Sequence, residues 1–175
     1  MNNLYDFTVP VFVRSLTAMK GFMNKAAEEA RTKGTDAELL LNEQLAPDML
    51  PFVRQVQIAC DSAKGAAARL SGVELPKFAD DETTFAELNE RIDATIAFLN
   101  TFTQEQFVGA EERMVRIPYL PEGKAMKGLD YAREYSLSNF LFHVTTAYDI
   151  LRHKGATIGK ADFIGGWPQL YDIVA

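Results

Sequence analysis

Residues 131–155 read YAREYSLSNFLFHVTTAYDILRHKG, the longest stretch of the chain that a helix can run through unbroken, and both histidines lie in it. Phe140, His143, Thr146, Ala147, Ile150 and Leu151 recur at steps of three and four residues. They therefore share one helical stripe, and that stripe is predicted to face a core. His143 is then an inward histidine. His153 lies ten residues further on, about 15 Å along the helix axis and turned by about 80°, too far for the two imidazoles to hold one ion. Gly155, after His153 and Lys154, closes the segment, because glycine takes the left-handed conformation without penalty.

Three more helical patterns precede it. Val9, Phe12, Val13, Leu16, Met19, Met23, Ala26, Ala27 and Ala30 mark an apolar stripe, with Pro10 expected in the first helical turn and Gly34 as the stop after Lys33. Thr35-Asp36-Ala37-Glu38 has the form of a capping box opening a short helical piece through Leu41. After Ala46-Pro47-Asp48, Met49, Val53, Val56, Cys60, Ala63, Ala67 and Leu70 repeat as a heptad that ends at Ser71-Gly72. A polar connector then runs from Val73 to Glu82. Thr84-Phe85-Ala86-Glu87 is a second capping box, and the third helix is expected to continue through Leu88, Ile92, Ile96, Leu99 and Phe102 to end between Phe107 and Gly109. Between Glu112 and Asp130 the period changes around Pro118, Pro121 and Gly123, which predicts a short β-hairpin. The tail, with Gly159, Gly165, Gly166 and a Trp-Pro pair, excludes a long helix, and its aromatics are expected to dock on the bundle. The predicted fold is all-α: one domain over residues 1–175, a four-helix bundle with a short β-hairpin between helices three and four.

Composition narrows the function classes. A chain of 175 residues can bury about 70% of the surface its unfolded form exposes, so it folds without a disulfide or a structural metal. The single cysteine, Cys60, excludes an internal disulfide and points to a reducing, cytoplasmic compartment. No run of apolar residues reaches membrane-span length, and MNNLYDF at the start is not a secretory signal. The formal net charge of −6 argues against nucleic-acid binding, which draws on clustered Lys and Arg.

Several residues are candidates for chemistry. A neutral imidazole on an inner face, as at His143, binds a metal or moves a proton near neutral pH; equally, it can be a core histidine bonded to a neighbour. Metal binding needs partners from another helix, since Ala147 carries no ligand atom and Thr146 is a poor one. Gln57 and Asp61, one turn apart on the second helix, are the candidates, although Asp61 is equally placed to pair with Arg54 or Lys64. Tyr148 and Arg152 form another one-turn couple, which can hold an anionic small molecule or can be a half-buried tyrosine beneath an arginine stem. Cys60, with no base near it in sequence, reads as a small buried residue. Gly159-Lys160-Ala161-Asp162 lacks phosphate-loop spacing and reads as a turn.

Pro10-Val11-Phe12-Val13, Arg54 to Asp61 (RQVQIACD), Asn139 to Arg152 (NFLFHVTTAYDILR) and Gly159 to Phe163 (GKADF) together resemble an uncharacterised domain-of-unknown-function family within the DinB/YfiT-like group of four-helix putative metalloenzymes. The resemblance spans nearly the whole chain. It implies the DinB-like bundle, frequent dimerisation, and a metal site with one histidine from helix two and two from the last helix, one turn apart; the wider group includes metal-dependent thiol transferases. Only His143 matches that set, as first ligand on the last helix. Ala147 stands at the second position, helix two has no histidine, and Gln57 or a neighbour stands in its place. The expectation is a cytoplasmic homodimer without the standard metal centre or any other cofactor, acting as a small-molecule-binding or interaction protein. The alternative is an enzyme of thiol-transferase or hydrolase type with a rearranged site around His143, Gln57 and Asp61, where His143 and Asp61 hold a divalent metal weakly or act as an acid–base pair.

Overall fold

A computed structural model describes residues 4–167 and residue 170, so the ends of the predicted 1–175 domain lie outside the described residues. Its long helices are α1 (Leu4–Thr32), α2 (Phe52–Ser71), α3 (Phe85–Leu99) and α5 (Leu137–His153). A short α4 (Gly128–Asp130) and a π-helical turn (Tyr131–Ser136) lead into α5, so the stretch read first from the sequence is one continuous helical body with a bulge near its start. The centre of the bundle is not α5 but α2, which packs against α1, α3 and α5 and has no exposed residue from end to end. Its small residues Ala59, Ala63, Ala66 and Ala67, all fully buried, let the neighbouring helices approach closely on every side.

The predicted hairpin is present but minimal: β1 (Met114–Val115) pairs antiparallel with β2 (Met126–Lys127), Met114 opposite Lys127. Immediately after it, Gly128 lies against the Ala110 carbonyl, where a Cβ would overlap the oxygen. That contact fixes where the last helical body begins. Thr84 and Glu87 form the predicted reciprocal cap on α3.

Four local expectations are corrected. Pro10 sits inside α1, more than one turn past its start, rather than in the first turn; its ring is exposed while Val9 and Phe12 beside it are buried, so core packing carries the helix through one missing N–H. The helix expected to run to Phe107 stops at Leu99, and a separate 3₁₀ turn (Gln104–Phe107) follows, whose start is tied by the Thr103 N–H donating to Gln106 Oε1 at 2.8 Å. Phe102 and Phe107 still reach the core, edge-on to each other at 6.0 Å. The cap before the 3₁₀ helix Ala37–Asn42 is Asp36, not Thr35. Glu38, freed from that cap, accepts the Phe85 N–H of α3 at 2.8 Å and so caps a helix remote in sequence. Finally, Gly159-Lys160-Ala161-Asp162 is not a plain turn but the start of α6 (Lys160–Ile164), with the Gly159 N–H donating to the Asp162 carboxylate at 2.7 Å.

α6 and the loop before it are strapped to α1. Thr157 donates through its N–H and hydroxyl to Glu29, Lys25 pairs with Asp162 at 3.0 Å, and Arg14 donates to the Ile164 and Gly166 carbonyls. Phe163 docks edge-on against Tyr148, as expected of the tail, whereas Trp167 is 86% exposed, against that expectation. Among the described residues no helix is long and apolar enough to cross a membrane.

Candidate functional site

Helices α2 and α5 run antiparallel, and a row of three polar pairs joins them. Gln55 meets His143, Ser62 accepts from Asn139 at 2.7 Å, and Arg69 reaches the Tyr131 hydroxyl at 3.4 Å. On α2 these residues stand seven apart, two turns each, so they share one edge of the helix. On the other partner the spacing is irregular. In an unbroken α-helix Tyr131, eight residues before Asn139, would point about 80° away from it, toward solvent. The π turn, closed by the Leu137 N–H donating five residues back to the Ala132 carbonyl, inserts one extra residue. That is about 100° of rotation, enough to bring Tyr131 back to α2. Gly65 completes the arrangement, since a Cβ there would collide with the Arg69 guanidinium folded over it.

His143 has a defined hydrogen-bond partner at Nδ1. The Gln55 side-chain amide donates to the Leu50 carbonyl at 2.9 Å, which turns its oxygen toward His143 Nδ1 at 2.7 Å. An oxygen facing Nδ1 requires Nδ1 to carry a proton, which leaves Nε2 as the nitrogen that gains or loses one. Burial pushes its pKa below the ordinary histidine value, which favours the neutral ring. The Phe142 ring stands edge-on beside it at 5.2 Å.

The candidates Gln57 and Asp61 are elsewhere. Two residues on from Gln55 is about 200° round the helix, and Gln57 accordingly faces α3 and the connector of residues 73–83. There its amide donates to Glu82 at 2.7 Å and its oxygen accepts from Arg54 at 2.6 Å. Asp61 accepts from Arg91 at 2.9 Å and Lys64 at 3.1 Å, the ion-pair alternative that the sequence left open, with α3 supplying the stronger partner. The structure does not bring Gln57 or Asp61 to His143; the residue that meets the histidine is Gln55. Arg91 is the hub of the opposite cluster: its side chain is 2% exposed and contacts Asp61, Asp80, Glu82 and the Ala79 carbonyl. Burial alone would raise the Asp80 carboxyl, but hydrogen bonding from Arg54 and the charge on Arg91 hold it below the usual range.

Tyr148 and Arg152 do not form an anion rim. Tyr148 packs edge-on between Phe22 and Phe163, and Arg152 donates to the Ala156 carbonyl at 2.8 Å, tying the loop after α5 to its own helix. Cys60 is fully buried, its thiol pushed up to about 12 by desolvation, and is therefore no nucleophile. His153 is exposed at the C-terminal end of α5.

The donor set does not fit the three-histidine metal centre that the resemblance implies. Around His143 stand Gln55, held by Leu50 and the histidine itself, and Ala147, which has no donor atom. Among the described residues no three His, Cys, Asp or Glu side chains gather where one ion could hold them.

Known proteins bearing the same pattern lie close by. A family model described as a domain of unknown function (DUF1993) matches residues 4–164. A crystal structure of a DinB family member protein from Shewanella denitrificans is 41% identical, with the match covering 97% of this chain and 96% of that one at a TM-score of 0.92. No curated protein matches the sequence significantly.

Proposed function

The chain belongs to the DUF1993 family and is a DinB-like protein, and on that premise we propose that it works by binding, without a resident metal or other cofactor. The observation that carries this reading is the fixed Gln55–His143 pair: the one inward histidine is bonded at Nδ1 by an amide that is itself held, with no second ligand within a turn. A transition-metal site normally takes three or four donors. The rearranged-enzyme alternative is disfavoured because its Gln57 and Asp61 are engaged on the far side of α2. Its test is elemental analysis of untagged protein, followed by Zn²⁺ and Ni²⁺ titration of wild type and of His143→Ala. About one equivalent in wild type and none in the variant would establish a metal centre and overturn the proposal.

A second copy of the chain is the partner this reading favours. From Leu137 to Tyr148 α5 carries no Asp, Glu, Lys or Arg, and its outward Leu141 and Phe142 are exposed, Phe142 by 54%. Two copies that each carry −6 repel least where neither presents a charge. Sedimentation equilibrium is expected to give a two-fold dimer at micromolar concentration, and Phe142→Asp is expected to return it to 19.5 kDa; a wild-type monomer would remove this part of the reading. Placement in the cytoplasm, away from nucleic acid and membrane, belongs to the same proposal and is supported by the single buried thiol and the acidic balance.

A further inference from the structure

Between Gly72 and Thr84 the chain crosses the outside of α2 and α3 as a strap, residues 73–83, with neither helix nor strand in it. It is held chiefly by charge. Asp80 offers one carboxylate oxygen to Arg91 and the other to Arg54, at 2.9 and 2.8 Å. Glu82 does the same with Arg91 and Gln57, at 2.8 and 2.7 Å. Lys64 donates to the Pro76 carbonyl and sits 4.1 Å over the Phe78 ring. Asp80 and Glu82, unlike the strap acids Glu74 and Asp81, are thus gripped through both oxygens by donors from the helices, which is how a protein binds a carboxylate ligand.

Taken without the strap, this face of α2 and α3 presents Arg54, Lys64 and Arg91 with Asp61 among them and Glu87 and Glu90 at the rim. It gathers three cations on a chain of net charge −6; Arg91 and Lys64 are buried beneath the strap, and Arg54 is partly exposed at its edge. Ion networks of this kind add little to stability compared with apolar packing, so stability does not explain why this one is built. Residues 73–83 form a connection longer than the roughly 4–6 residues typical between elements of a compact domain. A crevice of about 520 Å³ separates the strap from α3, with Phe78, Glu82 and Arg91 among its walls, so the strap's outer edge is not packed down. Of the acids on that rim, Asp81 moves with the strap, whereas Glu87, held charged by the Thr83 and Thr84 backbone, remains with Glu90 to oppose an incoming anion.

We propose that the α2–α3 face beneath the strap is a binding site for a small dicarboxylate, and that Asp80 and Glu82 occupy it in cis until such a ligand displaces them. This deepens the binding reading by naming a ligand class, at a site separate from His143 and from the outer face of α5, so neither the metal test nor the sedimentation test bears on it.

Succinate is the probe, with sulfate as the single-centre anion for contrast. In titration calorimetry the Asp80→Asn/Glu82→Gln double variant, which keeps the shape of the strap and removes its charge, is expected to bind succinate at least about ten-fold more tightly than wild type. It should also prefer succinate to sulfate. Adding Arg54→Ala to that variant should lower the affinity by about ten-fold with the circular dichroism unchanged. In wild type, succinate should raise hydrogen exchange at residues 73–83 while leaving α2 and α3 protected. A folded double variant that binds no more tightly than wild type, or that is indifferent to Arg54, overturns the proposal. Should the double variant not fold, wild-type exchange decides, and no change in the strap with succinate sinks the idea.

Discussion

The two sides of α2 bury polar groups in opposite ways. Toward α5 they are neutral or singly bonded and joined one to one: Gln55 with His143, Ser62 with Asn139, Arg69 with Tyr131. Toward α3 and the strap they are ionised and shared, with Arg91 alone serving three carboxylates and a carbonyl. A seam joined one to one sets the register of two helices at small electrostatic cost, whereas a shared ionic cluster stands or falls on its central member. The residue that looks chemical, the histidine, belongs to the seam.

Breaking the cluster at its centre should have the largest effect. Arg91→Leu leaves the buried Glu82 carboxylate with only Gln57 and is expected to cost about 3–5 kcal/mol by urea denaturation. Apolar truncation in the shared core, Leu99→Ala or Leu16→Ala, gives the yardstick at about 2–5 kcal/mol. If Arg91→Leu proved milder than both, the cluster would not be held by its hub.

The seam should be softer and should respond to pH instead. His143→Ala leaves the Gln55 oxygen without its donor and is expected to cost about 1–3 kcal/mol. The folded histidine binds its proton less readily than the unfolded one, whose value is near 6.5. Its contribution is therefore complete above about pH 6.5 and is lost as pH falls from there through the lower folded value, where the unfolded chain binds the extra proton. Wild-type stability should decline over that window more steeply than that of His143→Gln; equal slopes would place the histidine in water rather than in the seam. At the bottom of the scale His153→Ala, on the exposed end of α5, should change stability by less than about 0.5 kcal/mol.

Much of this comparison was hidden in the sequence for a reason of phase. The apolar stripes of α1, α2, α3 and α5, the Thr84–Glu87 cap and the hairpin were legible because each depends on residues within a turn or two of one another. The partner of His143 was not. Gln55 and Gln57 are equally polar, and choosing between them needs the azimuth at which α5 docks, which no spacing within α2 carries. Arg91 did leave a sign, falling between Leu88 and Thr95 on the buried side of α3 where a charge needs a buried partner. The strap that supplies that partner reads as a plain polar connector, and the π turn, which re-aims Tyr131, has no signature in an unbroken helical pattern. The early stop of α3 at Leu99 escaped for the converse reason: Phe102 and Phe107 keep the apolar rhythm although the chain has left the helix.

The ties between α1 and the segment around α6 bear on the order in which the molecule can be completed during synthesis. Lys25 and Asp162 lie 137 residues apart, and Glu29 and Thr157 lie 128 apart. At a ribosome's pace that separation is on the order of ten seconds. Throughout that interval Phe22 and Ala18 on the flank of α1 lack the covering later supplied by Tyr148, itself backed by Phe163, and by Gly165. The nascent chain therefore carries an apolar strip on its first helix that only a much later segment can cover, and that strip is where a chaperone would find this protein before it is finished.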